Sequence, residues 1–67
     1  MTIAQLIYER RTALHLSRTD IGLACGYTGV AARSVVMRWE HGGCLPPVER
    51  VRRLAAVLRV PIDSLVP

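Results

Sequence analysis

Arg33-Ser34-Val35-Val36-Met37-Arg38-Trp39-Glu40-His41-Gly42 is the stretch on which the fold turns. At helical spacing it has two faces. Ala32, Val35, Val36 and Trp39 fall at i, i+3, i+4 and i+7, an apolar stripe suited to a core. Arg33, Ser34, Met37 and Arg38 fall on the opposite side, two guanidinium groups around a small hydroxyl. One face is built for burial and the other to read an anion. His41-Gly42-Gly43 then stops the helix.

Every segment outward from this helix also reads as helix. Thr2-Ile3-Ala4-Gln5 is a capping-box pattern that opens a first helix. Ile3, Leu6, Ile7 and Leu14 make its buried stripe, running to about Leu14. Arg10 and Arg11 lie in or beside that stripe, and a long arginine stem can snorkel past a core edge. Ser17 is placed to cap a second, short helix with Asp20 in its first turn. Ile21, Ala24 and Cys25 face inward there, and Gly26 ends the helix in a left-handed conformation. Tyr27-Thr28-Gly29 is a turn.

Downstream, Cys44-Leu45-Pro46-Pro47 reads as an extended connector, because a proline disfavours helix at the residue before it. Pro47 suits the first turn of a fourth helix, whose stripe is Val48, Val51, Leu54, Ala55 and Leu58. Arg50, Arg52, Arg53 and Arg59 surround that stripe as a largely solvated face. Val60-Pro61-Ile62-Asp63-Ser64-Leu65 reads as a final short turn of helix packing Ile62 and Leu65 back on the core. The expectation is one all-α domain of five short helices, with no linker, repeat or low-complexity segment.

Composition bounds the rest. Sixty-seven residues allow a single small core. A chain of this length buries only about 60% of its unfolded surface, so a partner subunit would help. The hydrophobic share of 51% against 21% charged is globular. Nine arginines, no lysine and a net charge of +4 favour a polyanionic partner, although charge of this size also serves plain solubility. Cys25 and Cys44 form no CxxC pair, and His15 and His41 lack ligand spacing, so reduced thiols in a cytosol and no metal are expected. No export signal or membrane span is indicated.

The order of motifs resembles a known family. A helix, Leu16-Ser17, a short helix ending in Gly26, a turn, a helix ending in Trp39-Glu40-His41-Gly42, proline, an apolar helix and Val60-Pro61-Ile62-Asp63-Ser64-Leu65 follow one another. This order is similar to that of the Cro/C1-type, phage-repressor-like helix-turn-helix domains. The resemblance covers about Leu6 to Leu65 and is tightest from Pro46 onward. It implies a compact five-helix lambda-repressor-like domain that binds double-stranded DNA in the major groove and regulates transcription, most simply as a repressor.

Residue by residue, the resemblance sets Arg11 and Glu40 at positions that commonly form a buried ion pair between helices one and three. That pairing would make Arg11 tolerable in an apolar stripe. Arg18 stands where relatives place a phosphate-holding glutamine. Arg33, Ser34 and Arg38 match positions that reach base edges, and arginine's fork fits guanine O6 and N7, so a G-containing half-site is expected. Met37 is placed either to touch a thymine methyl or to sit at the solvent edge. Thr28 or Tyr27 in the turn, with Thr28 the choice, and the loop residues His41 and Gly43 are expected at phosphates, the latter two through backbone amides. Small members of the family act as homodimers on palindromic operators, and Pro61 to Val66 is the candidate dimer surface. A cytoplasmic, nucleoid-associated protein without cofactor, small-molecule ligand or membrane partner is implied. Phage or plasmid copy-control, restriction–modification control and antitoxin roles all fit.

The chain also departs from the family pattern. Gly26 and Glu40 are about four residues further apart than usual, roughly one helical turn. Either the turn through Tyr27 to Val30 is enlarged or helix three begins one turn early. Gly22 replaces alanine, Arg59 replaces the glycine that ends helix four, and Arg10 replaces an apolar residue. An enzyme is not expected: Glu9, Asp20, Glu49 and Asp63 are scattered, neither histidine neighbours a nucleophile, and Cys25 reads as core. The rival reading is a protein-interaction module that uses Arg33 to Arg38 to dock an acidic partner.

Overall fold

A computed structural model describes residues 1–67, and all of its regular structure is helical. The elements are α1 (Ile3–Ala13), α2 (Arg18–Ala24), α3 (Val30–Glu40) and α4 (Val48–Leu58), followed by a single 3₁₀ turn over Ile62–Leu65. Four of the expected elements are thus α-helices, and the expected final short turn of helix is of the 3₁₀ kind. Ser64 N–H bonds Pro61 O and Val66 N–H bonds Asp63 O at its two ends, the i to i+3 pattern of a 3₁₀ turn.

Local chemistry explains the helix starts. Thr2 and Gln5 form a reciprocal capping box at α1, and Ser17 and Asp20 form another at α2. Pro47 stands just outside α4 as its cap, one position earlier than expected, and Val48 is the first helical residue.

All four helices end the same way, in a left-handed residue whose N–H and whose successor's N–H turn back to bond the last turn. Gly26 does this for α2, with Gly26 N–H on Leu23 O and Tyr27 N–H on Gly22 O, both 3.0 Å. His15 does it for α1 and Arg59 for α4, at φ 57° and 59°, where neither is glycine. Arg59 thus keeps the turn shape of a glycine stop while bearing the steric penalty of a side chain.

Ten side chains make one core: Ile7, Ile21, Cys25, Val36, Trp39, Val51, Leu54, Ala55, Leu58 and Leu65. They come from all four helices and the 3₁₀ turn, which gives a radius of gyration of 10.3 Å. That is close to the ~11 Å expected for a compact chain of this length. Three inward assignments are corrected. Ala24 is exposed and Gly22 is buried in its place, because α2 packs α3 through the Gly22 side. Val48 is 87% exposed, since its first-turn position overhangs the core edge. Ile62 is 45% exposed while Leu65 alone seals the base. Arg10 lies against the core rim and donates from Nε to the Leu58 carbonyl at 3.1 Å, which supplies a cap for the end of α4. No helix is long and apolar enough to cross a membrane.

Candidate nucleic-acid interface

Helix α3 is the centre of the site, and the core holds its back. Ala32, Val36 and Trp39 are buried, and Val35 packs against the core edge. The Tyr27 ring meets Trp39 edge-on at 6.0 Å, and the Arg50 guanidinium lies 4.6 Å from the Tyr27 ring centroid. Arg50 also donates to the Cys25 carbonyl at 2.9 Å, closing the end of α2 with a positive charge where the helix dipole is negative. Tyr27 is consequently part of the packing behind α3. Trp39 keeps one cost of this burial, an indole N–H with no hydrogen-bond partner.

The residue register of α3 is set at its crossing with α2. A Cβ built on Gly22 would lie 2.0 Å from the Ala32 carbonyl oxygen and 2.6 Å from Ala32 Cα. No side chain fits there. The helix starts at Val30 behind Gly29, whose φ of 61° and ψ of −146° belong to glycine's range. Of the two accommodations left open for the additional residues, the structure takes the early start. The start at Val30 brings the Ala32 backbone onto α2, and glycine at position 22 makes room.

The far end of α3 is clamped electrostatically. Arg11 presents its fork to Glu40, with Nε on Oε2 at 2.5 Å and Nη2 on Oε1 at 3.3 Å. Its third donor, Nη1, holds the Leu16 carbonyl at 3.2 Å, so one side chain ties α1, the α1–α2 loop and α3. The Glu40 side chain is 2% exposed and that of Arg11 12%. Burying a carboxylate is costly unless hydrogen-bond donors meet it. Arg18 supplies the third, Nε on Glu40 Oε1 at 2.9 Å. The sequence reading did not foresee this: Arg18 is half-exposed, its Nε is committed to Glu40, and its terminal nitrogens carry no bond within the protein.

Arg33 and Arg38 are exposed, and Ser34 and Met37 half-buried, along the outer stripe of α3. Neither arginine has a carboxylate or carbonyl partner, whereas Arg10, Arg11, Arg18 and Arg50 are all bonded inside the protein. Their guanidinium groups are available to an external anion. Thr28 is exposed in the α2–α3 turn.

The loop after α3 differs from expectation. The amides of His41 and Gly43 are spent on the helix end, bonding Met37 O and Arg38 O at 3.0 Å each. They cannot donate to a phosphate in this conformation, and the first unbonded amides beyond α3 belong to Cys44 and Leu45. The His41 side chain remains exposed. No three His, Cys, Asp or Glu side chains gather around a common point suited to a metal ion.

No family model, curated protein or solved structure matches the chain.

Proposed function

We propose that this protein is a sequence-specific reader of double-stranded DNA, a Cro/C1-type helix-turn-helix domain that regulates transcription, most simply as a small repressor. The observation that carries the reading is the contrast between the two sides of α3. One side is immobilised by Trp39, the Gly22–Ala32 contact and the Glu40 clamp. The other holds out Arg33, Ser34, Met37 and Arg38, with both arginines free of internal partners. Rigid presentation of two forks on a helix matches what base recognition in a major groove requires.

In this reading Arg33 and Arg38 address guanine edges, Ser34 and Met37 contact neighbouring bases, and Arg18 and Thr28 address phosphates. Arg18 would use the terminal nitrogens that Glu40 leaves open. The chain binds as a homodimer on a palindromic operator. The exposed groove between Val48, Ile62 and Val66 is the dimer surface, with Leu65 excluded because the core has taken it.

Selection of bound duplexes from a random pool tests the reading. Wild-type protein is expected to enrich a G-containing palindrome, and Arg38→Ala to relax specific columns of it. A protein-interaction module using the same face would retain salt-dependent binding to polyanions and enrich no motif, which would overturn the proposal.

A further inference from the structure

The early start of α3 carries a consequence for which bases are read. Val30 is its first residue and is 84% exposed, among the most exposed large apolar side chains in the protein. An isolated exposed valine means little by itself. Its position is what matters. Residues 30, 33, 34, 37 and 38 fall at i, i+3, i+4, i+7 and i+8, so Val30 continues the stripe of Arg33, Ser34, Met37 and Arg38 toward the helix tip.

Along the axis, Val30 lies about 4.5 Å beyond Arg33, a little more than one base-pair rise of about 3.4 Å. The tip is held: two residues on, Ala32 is wholly buried and its backbone touches Gly22. Gly29, before it, has open space where a Cβ would be, so nothing shields Val30 from the front. A β-branched side chain is also stiff at χ1 and presents its two methyl groups in a defined direction.

We propose that Val30 is a specificity-determining residue that reads the C5-methyl group of a thymine next to the base addressed by Arg33, on the side away from Arg38. The assignment rests on the DNA-reading function proposed above. Valine can offer a base only apolar contact, and in the major groove the thymine methyl is the apolar feature. The added turn therefore lengthens the reading face from Arg33–Arg38 to Val30–Arg38, about 12 Å along the helix.

The experiment uses the full chain and the duplex enriched by wild-type protein. Selections with Arg33→Ala and Val30→Ala are expected to relax neighbouring columns, the second a thymine. Replacing that thymine by deoxyuracil removes one methyl group, and should weaken wild-type binding about three- to fivefold per half-site while leaving Val30→Ala unaffected. Val30 is too exposed for its truncation to unfold the domain, which a thermal melt of the variant verifies. An unchanged motif for Val30→Ala together with no uracil effect would overturn the Val30 assignment and leave the DNA reading standing. No motif for wild-type protein would remove both.

Discussion

Gly22 and Ala32 touch backbone to backbone, so closely that a methyl group at position 22 would overlap the Ala32 carbonyl. In an isolated helix, Gly→Ala is stabilising by up to about 1 kcal/mol. Here the neighbour is backbone and cannot swing aside. Gly22→Ala should therefore destabilise the domain by about 2 kcal/mol or more, against its own propensity, as overpacking does in a filled core. Chemical denaturation of the two proteins measures it, and a more stable variant would mean that α3 does not start at Val30.

The Glu40 clamp makes unequal predictions for its members. Glu40→Ala removes the only acid shared by Arg11 and Arg18 and leaves the largely buried Arg11 unpaired. A loss of about 3–5 kcal/mol is expected. Arg18→Ala, at a more exposed site with Arg11 still in place, should cost about 1 kcal/mol or less. Equal losses for the two variants in thermal or urea melts would contradict the hierarchy drawn from burial.

Arg59 and His15 occupy left-handed conformations that glycine adopts without penalty. Histidine visits that region more readily than most residues, arginine less so. Arg59→Gly is expected to raise stability by about 1 kcal/mol, and His15→Gly by less. The check is the shift in denaturation midpoint at unchanged slope.

The two cysteines should differ in reactivity. Cys44 is exposed and Cys25 buried. Burial holds the Cys25 thiol above its ordinary pKa of 9.0, and the nearby Arg50 and Arg53 only partly offset this. One thiol should react rapidly with an aromatic disulfide reagent in the native protein, and two after denaturation. The sign for stability follows from the raised value: the contribution of Cys25 is intact below about pH 9.0 and is lost as pH rises through the folded-state value. Cys25→Ala should show a shallower alkaline loss than wild type.

Asp20 has the opposite sign. Its carboxylate accepts the Ser17 backbone N–H, and this bond first and the neighbouring Ser17 side chain second lower its pKa from 3.8. Its stabilisation is present above that ordinary value and disappears as pH falls through the folded-state one. In Asp20→Asn, the helical signal of α2 should lose this acid-range dependence. Circular dichroism from pH 5 to 2, about the range in which free carboxyls titrate, reads it out.

What could be read from sequence alone was short-range. The capping boxes of Thr2 with Gln5 and Ser17 with Asp20, the stop at Gly26 and the buried stripe of α3 all involve residues within about one turn of each other. Neighbouring residue types are enough to determine such hydrogen bonds and periodicities. The Arg11–Glu40 pair spans 29 positions and was expected only through family resemblance. Arg18 sharing that carboxylate, Arg10 capping α4 across 48 positions and Arg50 closing α2 across 25 had no local signature. Long arginine side chains choose among many acceptors, and only the packed neighbourhood selects one.

The α3 segment shows the division most clearly. By itself the sequence determined that Arg33 to Glu40 would be an amphipathic helix with Val36 and Trp39 inward and Arg33 and Arg38 outward, because the 3.6-residue period leaves no other arrangement. It left undecided whether the residues from Tyr27 to Val30 would widen the turn or lengthen the helix. Tertiary structure decided that at the α2–α3 crossing, where the absence of one Cβ at Gly22 lets Ala32 approach and the helix begin at Val30. The choice rests on a steric fit between segments distant in the chain, and that fit exists only once both helices are packed.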